Sequence, residues 1–366
     1  MLSRCGLLCF VLAVSNLSAK PVARVELGYL QTGTRVTFVR SPAGEWGIEI
    51  SGGAGLRISQ SQPAMLEIFR KEDDIHQVAA GYKTVRKSEA GIDALAEIKY
   101  DNVLFRVQDH WSLSGAVLAV HRKVDVVGHA AGGFDSAITL QAPPSVGWSD
   151  VSYMAPGALY GDATYNGDVS PGGTLNYAAH HFFMREDILP APLFALSFHN
   201  GTSVAILDPS PRGDSTFEET KLTQAVMTDA RFQFGALGAW QRNNSPIEFG
   251  FWFPGTINGA YMGGPPDAKE RTVRRYHPIA EGVTHAYEVS FRFGKDESFR
   301  EITRNAWRWA WGTLKPPVYY IDVEQMRRVL TDHLSTSLRM NIISTWREFY
   351  YTTRNPWSPC RVGNMT

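Results

Sequence analysis

Cysteine is nearly absent from the sequence: Cys5, Cys9 and Cys360 are the only three among 366 residues. A disulfide framework is therefore excluded as the main source of stability. Neither sign of charge is in excess, because Lys plus Arg and Asp plus Glu both number 36. That balance removes the electrostatic reason to expect a nucleic acid or an anionic membrane as partner. Long hydrophobic runs are missing as well. The apolar stretch from Gly6 to Val14 falls well short of the ~20 residues a membrane-spanning helix needs. The histidines show no helical pair at ligand spacing and have no cysteine partners, so neither a metal nor a cofactor is expected. "SGGAGLRIS" runs into another strand and does not open a helix, which excludes a phosphate loop. "GWSDV" lacks the second glycine of a nucleophile elbow.

What remains is an aromatic, glycine-containing, turn-rich chain. Its first 19 residues combine Arg4, the short apolar run and small residues up to Ala19, the pattern of a secretory signal, so a secreted or periplasmic protein is expected. The product would keep Cys360 alone and rely on core packing. Over 20–294 the pattern has a period of two, with runs such as "TRVTFVR", "VLFRVQDHW", "AVLAVHRKVDVV" and "YEVSFRF" between Gly, Pro, Asn and Asp clusters. These imply a mainly β fold, a large antiparallel supersandwich of two sheets. In "FALSFHNGTSVAIL", Asn200-Gly201 signals a hairpin with a type I′ turn.

After Phe293 the spacing becomes helical. A linker helix is expected within 295–317, started by Asp296 or Ser298 and stopped by Gly312 and Pro316-Pro317. Within it Trp307 and Trp311 fall about 40° apart and Trp309 roughly opposite, so apolar surface occurs on two sides. Residues 318–366 read as an incomplete helical region, with a second helix capped by Asp322 and striped by Val323, Met326, Leu330 and Leu334.

Several residues are candidates for chemistry. Asp109 and Arg122 each share a face with apolar neighbours, which favours a buried ion pair joining two sheets over a ligand-facing role. The segment 152–187 exceeds the length of an ordinary loop and carries Tyr153, Tyr160, Tyr165, Tyr177, Asn166 and Asp168, side chains suited to the faces and hydroxyls of a sugar or to an interface. His180 or His181 as proton-transfer residue, with Glu186 or Asp187 as its partner, are the catalytic candidates. The wider set Arg185, Glu186, Asp187, Asp208, Arg212, Asp214, Glu218 and Glu219 reads first as surface or loop-fixing ion pairs.

The order of elements, with wording such as "DHWSLSGAVLAVHRKVDVVG" and "FREITRNAWRWAWGTLKP", resembles the amino-terminal part of bacterial six-hairpin glycosidases. There a galactose-mutarotase-like sandwich precedes a barrel of paired helices. The resemblance implies a carbohydrate-active protein, the sandwich portion of a secreted glycoside hydrolase acting on poly- or oligosaccharide. It also implies that the main catalytic centre lies on a barrel of which this chain holds only the beginning. The linker helix would then face the sandwich on one side and a missing helical body, or a second copy, on the other through Trp307, Trp309 and Trp311. The alternative is a non-catalytic carbohydrate-binding or envelope-associated protein.

Overall fold

The structure is a computed structural model. It describes residues 23–52, 57–71, 74–157, 159–162, 181–212, 225–241, 245–255, 257–258, 272–318, 320 and 322–342. The first strands are β1 (Arg24–Tyr29), β2 (Arg35–Arg40), β3 (Trp46–Ser51), β4 (Arg57–Gln60), β5 (Ala64–Lys71), β6 (Asp74–Ala80) and β7 (Thr84–Lys87). Then come β8 (Ile92–Tyr100), β9 (Val103–Ser114), β10 (Val117–Val127), β11 (Gly133–Gln141), β12 (Val151–Ala155), β13 (Leu159–Asp162) and β14 (His181–Arg185). The last are β15 (Leu193–Phe198), β16 (Thr202–Leu207), β17 (Ala225–Met227), β18 (Ala236–Trp240), β19 (Glu248–Phe253), β20 (Ile257–Asn258), β21 (Thr272–Pro278) and β22 (Thr284–Lys295). Two helices follow, α1 (Phe299–Leu314) and α2 (Val323–Ile342).

The strands form two sheets. The larger has the order β1-β2-β3-β4-β11-β19-β18-β14, with β5, β6, β17, β20 and β21 joined at its side, and the smaller runs β13-β12-β15-β16-β22-β10-β9-β8-β7. Pairing is antiparallel except between β17 and β21. Alternation does the rest. Along β11, Phe134, Ser136, Ile138 and Leu140 face the smaller sheet, and Phe249, Phe251 and Phe253 do the same from β19, so the core is the slab between the sheets.

The β15–β16 hairpin stands where Asn200-Gly201 placed it, but its turn is not type I′. Within the turn Gly201 alone has a positive φ, of 81°, and its N–H donates to Phe198 O at 3.0 Å. This is a three-residue loop ending on a left-handed glycine, and the Asn200 side chain serves it by accepting from Thr202 N at 3.0 Å.

The core holds charge where both partners' faces required it. Asp109 and Arg122 sit opposite each other on β9 and β10, with both side chains fully buried. Arg122 Nε donates to Asp109 Oδ1 at 2.8 Å and Nη2 to Oδ2 at 2.6 Å, while Nη2 also reaches Pro63 O at 2.9 Å and Nη1 reaches Ala137 O. Tyr82 donates to Asp109 Oδ2, and Trp111 Nε1 to Tyr82 at 3.0 Å. Each guanidinium nitrogen and each carboxylate oxygen of the pair thus has a partner, which is the condition for a buried charge pair to persist. The guanidinium ties the smaller sheet to two backbone carbonyls across the slab.

A second polar line crosses the core nearby. His277 Nε2 is 2.9 Å from Phe232 O, His277 Nδ1 is 3.0 Å from His285 Nε2, His285 Nδ1 is 2.8 Å from Ser136 Oγ, and Ser136 Oγ is 3.0 Å from the Tyr287 hydroxyl. The carbonyl only accepts, so the His277 proton sits on Nε2. Each successive step then follows: His285 donates to His277, Ser136 to His285, and Tyr287 to Ser136. Both rings are neutral in this chain. Burial pushes His277 down to about 4 and His285 well below the ordinary histidine value, with Arg122 adding to the effect on His285.

Helix α1 begins with a capping box in which Ser298 Oγ accepts from Glu301 N and Glu301 returns to Ser298 N, and it ends on Lys315 in the left-handed region. It docks on the outer face of β15 and β16. Its buried stripe is Ile302, Ala306 and Ala310, set on Met154, Leu193, Ala195, Ala205 and Leu207. The tryptophans divide differently from the pairing of Trp307 with Trp311. Trp307 and Trp309 flank the small-residue stripe and are both half-buried, whereas Trp311 is 56% exposed. Small residues let the helix backbone approach the sheet, and the large rings are pushed to its flanks. Ala306→Leu is expected to overpack this contact and destabilise the protein by about 1–3 kcal/mol, measured by urea denaturation; an unchanged midpoint would show a loose helix.

Helix α2 starts at the expected place, with Asp322 Oδ1 accepting from Glu324 N at 2.8 Å. Its apolar residues do not face a core: Val323 is 74%, Met326 43%, Val329 60% and Leu330 56% exposed. Leu334 lies outside the residues whose side chains are described. No helix among the described residues is long and apolar enough to cross a membrane.

Candidate functional site

The face of the larger sheet turned away from the core is where unlike side chains collect. Period-two alternation puts Met65 and Glu67 of β5, Asp135, Ala137 and Thr139 of β11, Glu248, Gly250 and Trp252 of β19, and Trp240 of β18 on this face. The floor is small by necessity. Gly238 pairs with Gly250, and a Cβ at either would lie 1.9 Å from Phe182 O or 2.0 Å from Ile138 O, a closeness that glycine alone permits.

Aromatic rings stand beside this floor. Phe183 meets Trp252 edge-on at 4.6 Å and Trp240 at 5.7 Å, and the Arg274 guanidinium lies 5.8 Å from the Trp240 ring centre. Trp252 and Phe183 are buried while Trp240 is half-buried. On one side Glu67 receives the Tyr276 hydroxyl at 2.7 Å and Arg274 Nη1 at 2.9 Å, and its own N–H donates to Asp135 Oδ1 at 3.1 Å. Burial, then Glu67 and Asp135, push the Tyr276 hydroxyl far up, so it remains a proton donor. On the other side Gln60 Nε2 donates to Thr139 Oγ1 at 3.1 Å and Thr139 donates to Glu248 Oε1 at 2.7 Å. Trp240, half-buried beside the buried Phe183–Trp252 pair and between rows of fixed donors and acceptors, matches a ligand with both CH faces and hydroxyls.

The sequence candidates fall in different places. Tyr153 is fully buried, stacked on Trp148 at 4.6 Å with its hydroxyl on Trp148 O at 3.1 Å, so it belongs to the core and does not face a ligand. Tyr160 is exposed on β13 at the edge of the smaller sheet, where its hydroxyl accepts from Gly157 N. Tyr165, Asn166, Asp168, Tyr177 and His180 lie outside the described residues, as do Asp214, Glu218 and Glu219. His181 stands opposite Trp240 in the β14–β18 register, and its side chain is outside the described set.

Asp187 is held by a bidentate pair with Arg185, at 2.5 and 2.8 Å, an ion pair that fixes the turn. Glu186 and Asp208 depart from the surface ion-pair reading, for they are only 4% and 5% exposed. Glu186 Oε1 accepts from Gly235 N at 2.7 Å and Oε2 has no hydrogen-bond partner. Burial first, and then the neighbouring Asp208, push Glu186 up to about 9. Burial also raises Asp208.

Glu67, Thr139, Trp240, Glu248, Trp252, Arg274 and Tyr276 were not singled out in the sequence. One signal was present: in "AMLEIFRK" Glu67 shares a face with Met65 and Phe69, as Asp109 does with its own apolar neighbours. Among the described residues no group of three His, Cys, Asp or Glu is placed to hold a metal ion.

No protein-family model matches the sequence, and no curated protein matches it. Solved structures of similar shape include a galactose mutarotase-related enzyme from Lactobacillus acidophilus, at 11% identity over 76% of this chain and 98% of that one, TM-score 0.37. An aldose epimerase homologue from Caenorhabditis elegans matches at 8% identity over 75% of this chain and 100% of its own, TM-score 0.34. A polysaccharide lyase matches at 6% identity over 74% of this chain and 34% of its own, TM-score 0.31. Likeness of this degree assigns no activity to the chain.

Proposed function

We propose that this is an exported carbohydrate-active protein that binds sugar on the outer face of its larger sheet. The supporting observation is the Phe183–Trp240–Trp252 cluster set between the Glu67–Arg274–Tyr276 group and the Gln60–Thr139–Glu248 row. An aromatic ring covers the CH face of a pyranose, and carboxylate, guanidinium and phenol groups at its edge bond the hydroxyls.

The finer reading is the sandwich portion of a six-hairpin-type glycoside hydrolase, whose main catalytic carboxylates belong to a helical body. The exposed apolar residues of α2 favour it, because an amphipathic helix is made to cover another surface. A non-catalytic carbohydrate-binding protein would use the same sheet face. Trp240→Ala should weaken oligosaccharide binding by roughly tenfold or more, read from tryptophan fluorescence titration, with the thermal midpoint recorded alongside. Wild-type fluorescence unmoved by mono- and oligosaccharides, or equal affinity in the variant, would reject the assignment.

A further inference from the structure

Glu248 differs from the other charges of the sheet face. It stands directly opposite Trp240 in the β18–β19 register, so the two side chains rise from the same face with their Cβ atoms about 5 Å apart. The next pair on that face is Gly238 with Gly250, which puts no side chain beside them in that direction. Glu248 is only 9% exposed, yet its one hydrogen bond among the described residues is the one Thr139 Oγ1 donates to Oε1 at 2.7 Å, and Oε2 has none. Because Thr139 already receives Gln60 Nε2 at 3.1 Å, its single proton goes to Glu248, which is fixed as an acceptor. The two guanidinium groups beside the aromatic cluster are committed elsewhere. Arg274 Nη1 lies 2.9 Å from Glu67, and Arg185, placed by the register in one row with Trp252, holds Asp187 at 2.5 and 2.8 Å.

We infer that Glu248 sets the ligand class of the sheet face, accepting a hydroxyl of a glycan whose ring covers Trp240 and rejecting glycans built of uronic acids. The inference rests on the sugar reading made above. Oε2 is an acceptor beside an aromatic platform and needs a donor, which the edge of a stacked pyranose supplies as O–H. A uronate instead brings a second anion toward a carboxylate that little water screens. Recognising that anion would take a guanidinium free to grip it, and both guanidinium groups here already carry a carboxylate of their own chain. Glu248 therefore acts on specificity by charge, whereas Trp240 serves neutral and acidic rings alike.

The test is a tryptophan fluorescence titration of the full chain at pH 7, in low and in high salt. The probes are tetrasaccharides of glucose, mannose and galactose, each beside the tetrasaccharide of the corresponding uronic acid. A neutral probe is expected to bind roughly tenfold or more tighter than its uronate counterpart in low salt, with the gap narrowing in high salt. Glu248→Gln keeps an acceptor for Thr139 and removes the charge, so uronate affinity should rise and the gap close to about threefold or less. Glu67→Gln keeps an acceptor for Tyr276 and releases the charge of Arg274, so it should narrow the gap as well. Uronates bound as tightly as neutral sugars, a gap indifferent to salt, or an unchanged gap in Glu248→Gln would each overturn the inference while leaving the sheet face a sugar site. Binding of no probe at all would reject the sugar reading itself, and the inference with it.

Discussion

Arg122→Ala is expected to destabilise the protein by roughly 3–5 kcal/mol, the range for removing one partner of a buried ion pair. Asp109 would stay in the core with Tyr82 as its remaining hydrogen-bond donor, and the carbonyls of Pro63 and Ala137 would lose theirs. Because the cost lies mainly in the orphaned charge, replacing both partners with apolar residues of similar size, Asp109→Leu with Arg122→Met, should recover much of it. Urea denaturation of the three proteins tests both statements. A single variant with the wild-type midpoint would mean that no charge is orphaned in the core.

Acid should weaken the fold through the histidine line. A histidine whose folded value is depressed contributes stability that is present above its unfolded value near 6.5 and is lost as pH falls toward the folded one. For His277, with a folded value of about 4, the loss between pH 6.5 and 4 is about 3 kcal/mol. His285, pushed well below its ordinary value, acts in the same direction. His277→Gln retains a donor for Phe232 O and an acceptor for His285 without titrating, so its stability should fall less steeply over that window. Equal slopes for variant and wild type, followed by denaturant midpoints from pH 7 to 4, would show that the rings are not neutral in the folded state.

Much of the architecture was legible because a strand writes its burial into alternate residues. "VLFRVQDHW" and "AVLAVHRKVDVV" identified their inward faces, and with them the two charges that had to meet. The helix was harder. Angles alone separate Trp309 from Trp307 and Trp311, but packing is decided by Ile302, Ala306 and Ala310, which permit close approach and draw both flanking rings onto the sheet. Asn200-Gly201 marks where the chain turns, but the type of the turn depends on one extra residue between the strands, which the dipeptide does not encode.

The site face was the least legible part. Glu67, Thr139, Trp240, Glu248 and Arg274 come from β5, β11, β18, β19 and β21, and no two neighbours in sequence announce them. Only register brings them together. His277 and His285 show the same limit, being eight residues apart in sequence and 3.0 Å apart in the core through the return of β21 against β22.

Glu297 ties the start of α1 to the sandwich, receiving Ser203 Oγ from β16 at 2.8 Å, Arg292 Nη2 from β22 at 2.9 Å and Asn305 Nδ2 from the helix itself at 2.7 Å. A joint with three anchors does not swivel, so α1 acts as a fixed mast. The eight residues from Lys315 to Asp322 then form its tether, and fully extended they reach no more than about 28 Å. The first turn of α2 is therefore confined to a sphere of that radius around the masthead. Any surface within that radius meets it at an effective concentration on the order of millimolar, and a weak contact there would be occupied most of the time.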